Sequence, residues 1–327
     1  NCLEKHLKKT IEEKFNGRNL IQSRMAVLTQ PHNGRGKCMS RNLCHRGCPY
    51  GAYFSSNSST LPAAYATGNL TLRPFSTVKS VIWDSTKNKA TGVRILAPAT
   101  LQTSASFAPV IFLNASALAT TKILLQSASD RFPNGFANDS GVVGHYLMDH
   151  YSGPGASAQF DILRDRYYFG QRSTSVYVPR FQNLQKKDRS FNRGYAYEVY
   201  VSRAEWTRGY HSPGTGEDWK DALSAPGDWN ASMFAFGECL PDYKNRVYLD
   251  KDKKDKWGLP VLNVEMEYGE NEKAMRPAMI SDAMEMLQSG GPVSVSEITD
   301  ASVPGMTIHE MGTARMGNDP KTSVLNR

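Results

Sequence analysis

Leu3, Leu7, Ile11 and Phe15 recur at four-residue spacing with charged residues between them. That period predicts an amphipathic helix over residues 2–15, stopped by Asn16-Gly17. Asn19 to Thr29 reads as a strand, Pro31 to Gly36 as a turn-rich loop, and Leu61-Pro62-Ala63-Ala64 as the start of a short helix. Residues 70–83 are β-rich and pair, across a Lys/Asn turn, with Ala90 to Leu96. Val110-Ile111-Phe112-Leu113 has the composition of a strand buried on both faces. It runs through the small residues Asn114-Ala115-Ser116-Ala117 into a helix over residues 118–127. A strand, a small-residue turn and a helix N-terminus in that order let backbone amides approach a phosphate.

The pattern changes past Asp149-His150. Residues 151–235 contain alternating stretches such as Gly194-Tyr195-Ala196-Tyr197-Glu198-Val199-Tyr200-Val201, which predicts an antiparallel sheet with one polar face. Thr207 to Trp229, rich in Gly, Pro and Asp, reads as a long loop. Strands over Asn245 to Leu249 and Leu259 to Val264 flank the run Lys251-Asp252-Lys253-Lys254-Asp255-Lys256, which reads as a solvated loop. Residues 270–289 predict a helix whose Met275, Met279, Ala283, Met286 and Leu287 face a core, ended by Gly290-Gly291-Pro292. Ser323 to Arg327 reads as a strand. The expected fold class is mixed, α/β and α+β.

Size and charge narrow the function classes. A chain of 327 residues, 40% hydrophobic and 21% charged, is long enough for two ordinary globular domains. The net charge of +8 is spread along the chain and interleaved with acids, without a basic stripe, which argues against nucleic-acid binding. No apolar run approaches the roughly 18 residues of a membrane span. There is no initiating Met or leader, both ends read as cut, and the chain is expected to be an internal piece of a longer protein.

Two stretches carry candidate chemistry. Cys38, Cys44 and Cys48 are spaced C-x5-C-x3-C-P, close enough to share a zinc ion or an iron–sulfur cluster, with His45 as a possible fourth ligand. The alternative is that these cysteines pack a loop without metal. The second stretch is His309-x-x-Gly312-Thr313-x-Arg315-Met316-Gly317. A histidine is the usual general base near neutral pH, and flanking glycines let backbone come close to a flat ligand. Arg315 either binds a carboxylate or braces this loop through an ion pair. His145 and His150 read as structural.

Four co-linear segments resemble the glucose–methanol–choline (GMC) family of flavin oxidoreductases. Val78 with Thr91-Gly92-Val93 is similar to the family's adenine-side strand pair, and Val110 to Ser127 to its second fingerprint. Asn245-Arg246-Val247-x-Leu249, with Asp255-Lys256-x-Gly258-Leu259-Pro260-Val261, is similar to its substrate-domain strands. The His309 stretch is similar to its C-terminal catalytic motif. Cys44-x-x-x-Cys48-Pro49-x-Gly51-Ala52 resembles the branch of sugar and sugar-acid dehydrogenases, some of which carry an iron–sulfur cluster and use a cytochrome partner. Cluster-bearing members open this motif with two adjacent cysteines, whereas Met39 follows Cys38 here.

The resemblance implies a partial FAD-binding, Rossmann-like domain over residues 1–150, with a Cys-containing loop at 36–52. It implies a mainly antiparallel substrate domain over 151–300 and a return to the FAD domain over 301–327. It implies FAD as cofactor, held by Val78, Ser116, Ala117, Thr120, Gly312 and Thr313, with Ser116 standing where the family has Gly and Thr121 where it often has Pro. His309 is implied as the base that removes a hydroxyl proton while hydride passes to flavin N5. The substrate is expected to be a sugar, sugar acid or polyol, and the electron acceptor a cytochrome or small subunit. The compartment is periplasmic or cytoplasmic, with the resemblance favouring the periplasm. The family's G-x-G-x-x-G unit is missing, since Gly153-Pro154-Gly155 lacks the third glycine. The second catalytic residue, a His or Asn, is expected beyond Arg327, so this piece alone is expected to be inactive. Competing readings are a hydroxynitrile-lyase-type member of the fold and an electron-transfer module built on the cysteines.

Overall fold

A computed structural model describes residues 1–41, 44–166 and 175–326, and the side chains of His45, Trp206 and Thr207 lie outside what it describes. The chain runs through α1 (Cys2–Lys14), β1 (Ile21–Gln22), α2 (Thr60–Ala66), β2 (Thr77–Asp84), β3 (Lys89–Leu96) and β4 (Thr103–Phe107). It continues with α3 (Ser116–Gln126), β5 (Tyr151–Phe160), β6 (Val176–Val178), β7 (Tyr195–Arg203), α4 (Gly216–Ser224) and β8 (Trp229–Gly237). It closes with β9 (Arg246–Lys254), β10 (Pro260–Glu265), α5 (Glu270–Gln288) and β11 (Ser294–Ile298). Two compact units result. The first comprises Asn1–Thr71, Ser152–Glu238 and Asn271–Ala301, and the second Leu72–Tyr151, Cys239–Glu270 and Ser302–Arg327.

The first unit is built on a six-stranded sheet in the order β1-β6-β7-β8-β5-β11. Alternation along β7 and β8 buries Tyr195, Tyr197, Val199 and Val201 together with Trp229, Ala231, Met233 and Ala235. The expected methionine stripe of α5 is in the core, with Met275, Met279, Met286 and Leu287 all at 0% exposure. Burial of each such side chain stabilises by about 1.5–3 kcal/mol. Polar bonds fix how α5 meets the sheet: Tyr197 donates to the Met279 carbonyl at 2.6 Å, and Tyr195 to Asp282 Oδ2 at 2.6 Å. Asp282 also receives Arg18 at 3.0 Å and Arg189 at 3.1 Å. Helix α1 buries Leu3, Leu7 and Ile11, as its spacing predicts, behind an Asn1–Glu4 capping box. Gly155 lies against β8, where a Cβ would stand 1.9 Å from the Met233 carbonyl oxygen. That glycine therefore serves strand packing rather than a phosphate loop.

The second unit holds the β2-β3-β4 meander and the β9-β10 hairpin. Helix α3 is tied to β2 by the Ser127 hydroxyl, which accepts from Val81 N–H at 2.8 Å. It reaches the hairpin through the Lys122–Asp255 ion pair at 3.3 Å. Trp83, Phe132 and Phe136 pack together with ring centroids 4.9–5.9 Å apart.

Several expected elements differ. Val110 to Leu113 is not a strand: Val110 is 64% and Phe112 80% exposed. A strand buried on both faces needs neighbours on both edges, and among the described residues nothing pairs with this run. Of Asn19 to Thr29 only β1 is strand, and Ser323 to Asn326 makes a single bridge, Leu325 to Met316. The expected loop at 207–229 contains α4, and β9 extends through the Lys251–Lys254 run. The meander has a third strand, β4, which polar, small residues concealed.

Candidate active site

The site in the second unit is assembled around residues 144–150. On one side this stretch pairs with the start of β9, where Leu147 N–H donates to Asn245 O at 2.9 Å and Val247 N–H to Gly144 O at 2.8 Å. On the other it runs antiparallel to residues 307–313. Gly144 N–H donates to Thr313 O at 2.7 Å, Thr313 N–H to His145 O at 3.1 Å, and Met148 and Met311 exchange two bonds of 2.9 Å. The two chains approach so closely that a Cβ on Gly312, at φ +89°, would stand 2.0 Å from Tyr146 O. A Cβ on Gly144 would stand 2.3 Å from Val247 O. These two positions require glycine.

His309 is delivered by this pairing. The Asp149 carboxylate, only 2% exposed, accepts from Thr307 N–H at 2.7 Å, from His309 N–H at 3.3 Å and from His150 N–H at 2.8 Å. Three amides from two chain segments thus converge on one buried carboxylate. Between the two clamped amides of the 307–309 segment, Ile308 is held at φ +61° and is 81% exposed. A β-branched residue there is strained. The exposed His309 ring meets the half-buried His150 ring edge to face, with centroids 5.0 Å apart and planes at 86°. The His150 carbonyl accepts from the Tyr268 hydroxyl at 3.0 Å. Burial, with Cys239, Asp149 and Tyr151 nearby, holds the Tyr268 phenol above its ordinary value, so it remains a protonated donor.

Five of the six expected cofactor residues, Ser116, Ala117, Thr120, Gly312 and Thr313, gather at one end of this assembly. Thr121, fully buried, donates to Thr313 Oγ1 at 2.8 Å, and Thr313 Oγ1 donates in turn to Ala117 O at 3.4 Å. Gly312 and Thr313 are thereby joined to the start of α3. Ser116 takes φ +69° in an exposed position, a conformation that suits glycine. Ala115 caps α3 without a side-chain hydrogen bond, and Thr120 braces the turn, accepting from Ala115 N–H at 3.2 Å and donating to Leu113 O at 3.4 Å. Val78 lies in β2 beside a bulge and is half-buried, outside this hydrogen-bonded group.

Arg315 forms no ion pair among the described residues. Its guanidinium lies 4.4 Å from the Tyr146 ring centroid, and this cation–π contact braces the loop instead. His145 is structural as expected, stacked on Tyr243 at 3.9 Å with Nδ1 2.8 Å from the Tyr243 carbonyl. His150 is placed with its ring against that of His309. Asp149, Thr121 and Tyr268 carry no local sequence signal. Their partners arrive from segments more than a hundred residues away.

In the first unit, Cys38, Cys44 and Cys48 are free thiols that line one small, largely apolar cavity with Met25, Val27 and Tyr53. Backbone amides, first that of Tyr53, hold the Cys48 thiol below its ordinary value, with Arg41 adding to them. Among the described residues no three His, Cys, Asp or Glu side chains form a group that would hold a single metal ion, so the expected zinc alternative finds no support. The His45 side chain lies outside the described residues.

Residues 9–152 match a family model described as GMC oxidoreductase, its N-terminal part, and residues 241–327 match the C-terminal part. The chain is 32% identical to 2-methyl-1,2-propanediol dehydrogenase of Mycolicibacterium austroafricanum over 92% of its length and 54% of that protein. It is 26% identical to the fructose dehydrogenase large subunit of Gluconobacter japonicus, covering 91% of this chain and 53% of the relative. It is 27% identical to the gluconate 2-dehydrogenase flavoprotein of Pantoea cypripedii, covering 88% and 49%. The chain thus spans about half the length of the curated relatives it matches.

Proposed function

This chain is a member of the GMC oxidoreductase family, and from that premise we propose that the protein it belongs to oxidises an alcohol group of a sugar, sugar acid or polyol with FAD. The residues present fit one side of a flavin. The start of α3 is uncapped, small-sided and open, and it is joined through Thr121, Thr313 and Ala117 to the loop that carries His309. Ser116, Ala117, Thr120, Gly312 and Thr313 would line the cofactor there, and the backbone at Val78 would meet its adenine end. Bound FAD supplies the hydride acceptor, N5 of its ring.

His309 takes the hydroxyl proton of the substrate. Its ring is exposed and its backbone N–H is held by Asp149, so the point from which the imidazole projects is fixed. The pairing of residues 144–150 with 307–313, which carries both His309 and the Thr313 that bonds to Thr121 and Ala117 in α3, is the observation that carries the proposal. In the full-length, flavin-loaded protein, His309→Ala is expected to keep flavin but to slow its anaerobic reduction by 2-methyl-1,2-propanediol, fructose or gluconate by about 10²–10⁴-fold. An unchanged reduction rate would sink the assignment. Failure of every compound in this panel to reduce the dye or flavin would favour the lyase chemistry instead.

A second reading concerns the cysteines. Cys38, Cys44 and Cys48 are free thiols lining one cavity, the Cys48 thiol held below its ordinary value by backbone amides, and thiolates are the donors that an iron–sulfur cluster takes. Cys38, Cys44 and Cys48 would hold it, and a cytochrome or small subunit would be the electron-accepting partner. Iron near three atoms per full-length chain, lost on Cys48→Ser, is the expected result; an iron-free protein with full dye-linked activity would leave the cysteines structural.

A further inference from the structure

His150 lies within the matched residues 9–152, and its ring meets that of His309. Its backbone is fixed from both sides, by Asp149 Oδ1 and Thr307 Oγ1 at its N–H (2.8 and 3.1 Å) and by Tyr268 at its carbonyl (3.0 Å). Its ring therefore has a defined origin. Of the groups around His309, Asp149 controls only the backbone, and Ile308 on its N-terminal side is exposed and strained, offering no packing. The His150 ring, 5.0 Å away and perpendicular, makes an edge-to-face contact with the His309 imidazole.

We propose that His150 is a positioning residue for the reaction: its ring, which projects from a backbone anchored with that of His309 on the shared Asp149 carboxylate, holds the His309 imidazole in the orientation that accepts the substrate proton. Asp149 fixes where the two backbones are, and the edge-to-face contact fixes the remaining torsion. A base free to rotate would spend most of its time misaligned, and misplacement on the scale of an ångström costs about 10²-fold in rate. An edge-to-face contact needs an aromatic ring at position 150. Phenylalanine at position 150 should therefore substitute for histidine, whereas a small or linear side chain should not. This inference rests on the reading of His309 as the base.

The test is a double-mutant cycle in the full-length, flavin-loaded enzyme, using whichever of 2-methyl-1,2-propanediol, fructose or gluconate reduces the flavin fastest. His150→Ala is expected to keep flavin content and melting temperature, leave KM within about twofold, and lower kcat by about ten- to a hundredfold. His150→Phe is expected to recover most of that loss. In a His309→Ala background, His150→Ala is expected to have no further effect, because there is no imidazole left to orient. Should His150→Ala lose flavin, His150→Gln replaces it, keeping bulk without a ring.

Wild-type kcat in the ring-less variant, equal loss in His150→Phe and His150→Ala, or losses that multiply with His309→Ala would each overturn the inference while leaving the function intact. His309→Ala at the wild-type rate, by contrast, would be the failure of the proposed function itself.

Discussion

Gly312→Ala tests whether the pairing of residues 144–150 with 307–313 is what presents His309. At φ +89° an alanine pays about 1–2 kcal/mol for the left-handed conformation alone. Its methyl would also stand 2.0 Å from Tyr146 O and 2.9 Å from the carbonyl carbon, where contacts below 3.0 Å are essentially never seen. The Tyr146 carbonyl must therefore retreat by about 1 Å. The neighbouring rungs, Thr313 N–H to His145 O and Met311 N–H to Met148 O, are already 3.1 and 2.9 Å long and would break. Each is worth about 0.5–1.5 kcal/mol net, so the local cost comes to about 2–5 kcal/mol. Amide hydrogen exchange at Met311, Thr313, Gly144 and Met148 should then accelerate by roughly thirtyfold to a few thousandfold. Gly141→Ala is the control. It sits at φ +71° with nothing within 4 Å of a Cβ, so it carries the conformational cost without the clash. If exchange at Thr313 accelerates no more in Gly312→Ala than in Gly141→Ala, the close approach is not what holds the segment, and the account of the site fails.

Two further outcomes follow from the rest of the molecule. Asp282→Asn removes a charge, with 4% side-chain exposure, that faces Arg18, Arg189 and the Tyr195 hydroxyl. Breaking such a buried group costs about 3–5 kcal/mol, and the lower end is expected because Arg189 is 29% exposed and Arg18 keeps Glu285 at 3.3 Å. Thermal unfolding that shifts by less than about 1 kcal/mol would mean the network contributes little. Asp250 is held down to about 2 from 3.8 by the Lys253 amide first, then Asn263 and the Asp252 amide. A depressed carboxylate contributes stability that is full above its unfolded value and lost as pH falls through the folded one. Amide protection at Asp252 and Lys253 should therefore fall between pH 3.8 and about 2, and Asp250→Asn should abolish that dependence.

What could be read from the chain tracks how local each signal is. Helix α1 was legible because Leu3, Leu7 and Ile11 repeat at the period of one helical face, and α5 because its methionines do. The α4 helix was hidden by Gly216 at its start and by a segment without any buried residue to set a period. Val110 to Leu113 misled because an apolar run reports a capacity for burial, not the presence of neighbours. In the site, His309, Gly312 and Thr313 stood out as a short motif, and Ser116 as a departure, at a positive φ that suits glycine. Asp149 and Thr121 could not be found in this way. An aspartate before a histidine and a threonine within a helix are unremarkable until residues 158 and 192 positions away arrive as their partners.

That separation has a consequence for how the protein comes to exist in the cell. Asp149 leaves the ribosome 158 residues before Thr307, the first amide it clamps in the 307–309 segment. At about 5–20 residues per second, roughly ten to thirty seconds of synthesis pass between them. Throughout that interval the carboxylate must stay hydrated, and the Gly144–His150 stretch lacks its 307–313 partner, and until residues 245–247 emerge its other partner as well. The base is thus among the last parts of the second unit to be set in place. A nascent chain in which an alternative strand edge captured residues 144–150 first would be compact and stable elsewhere, yet would never present His309.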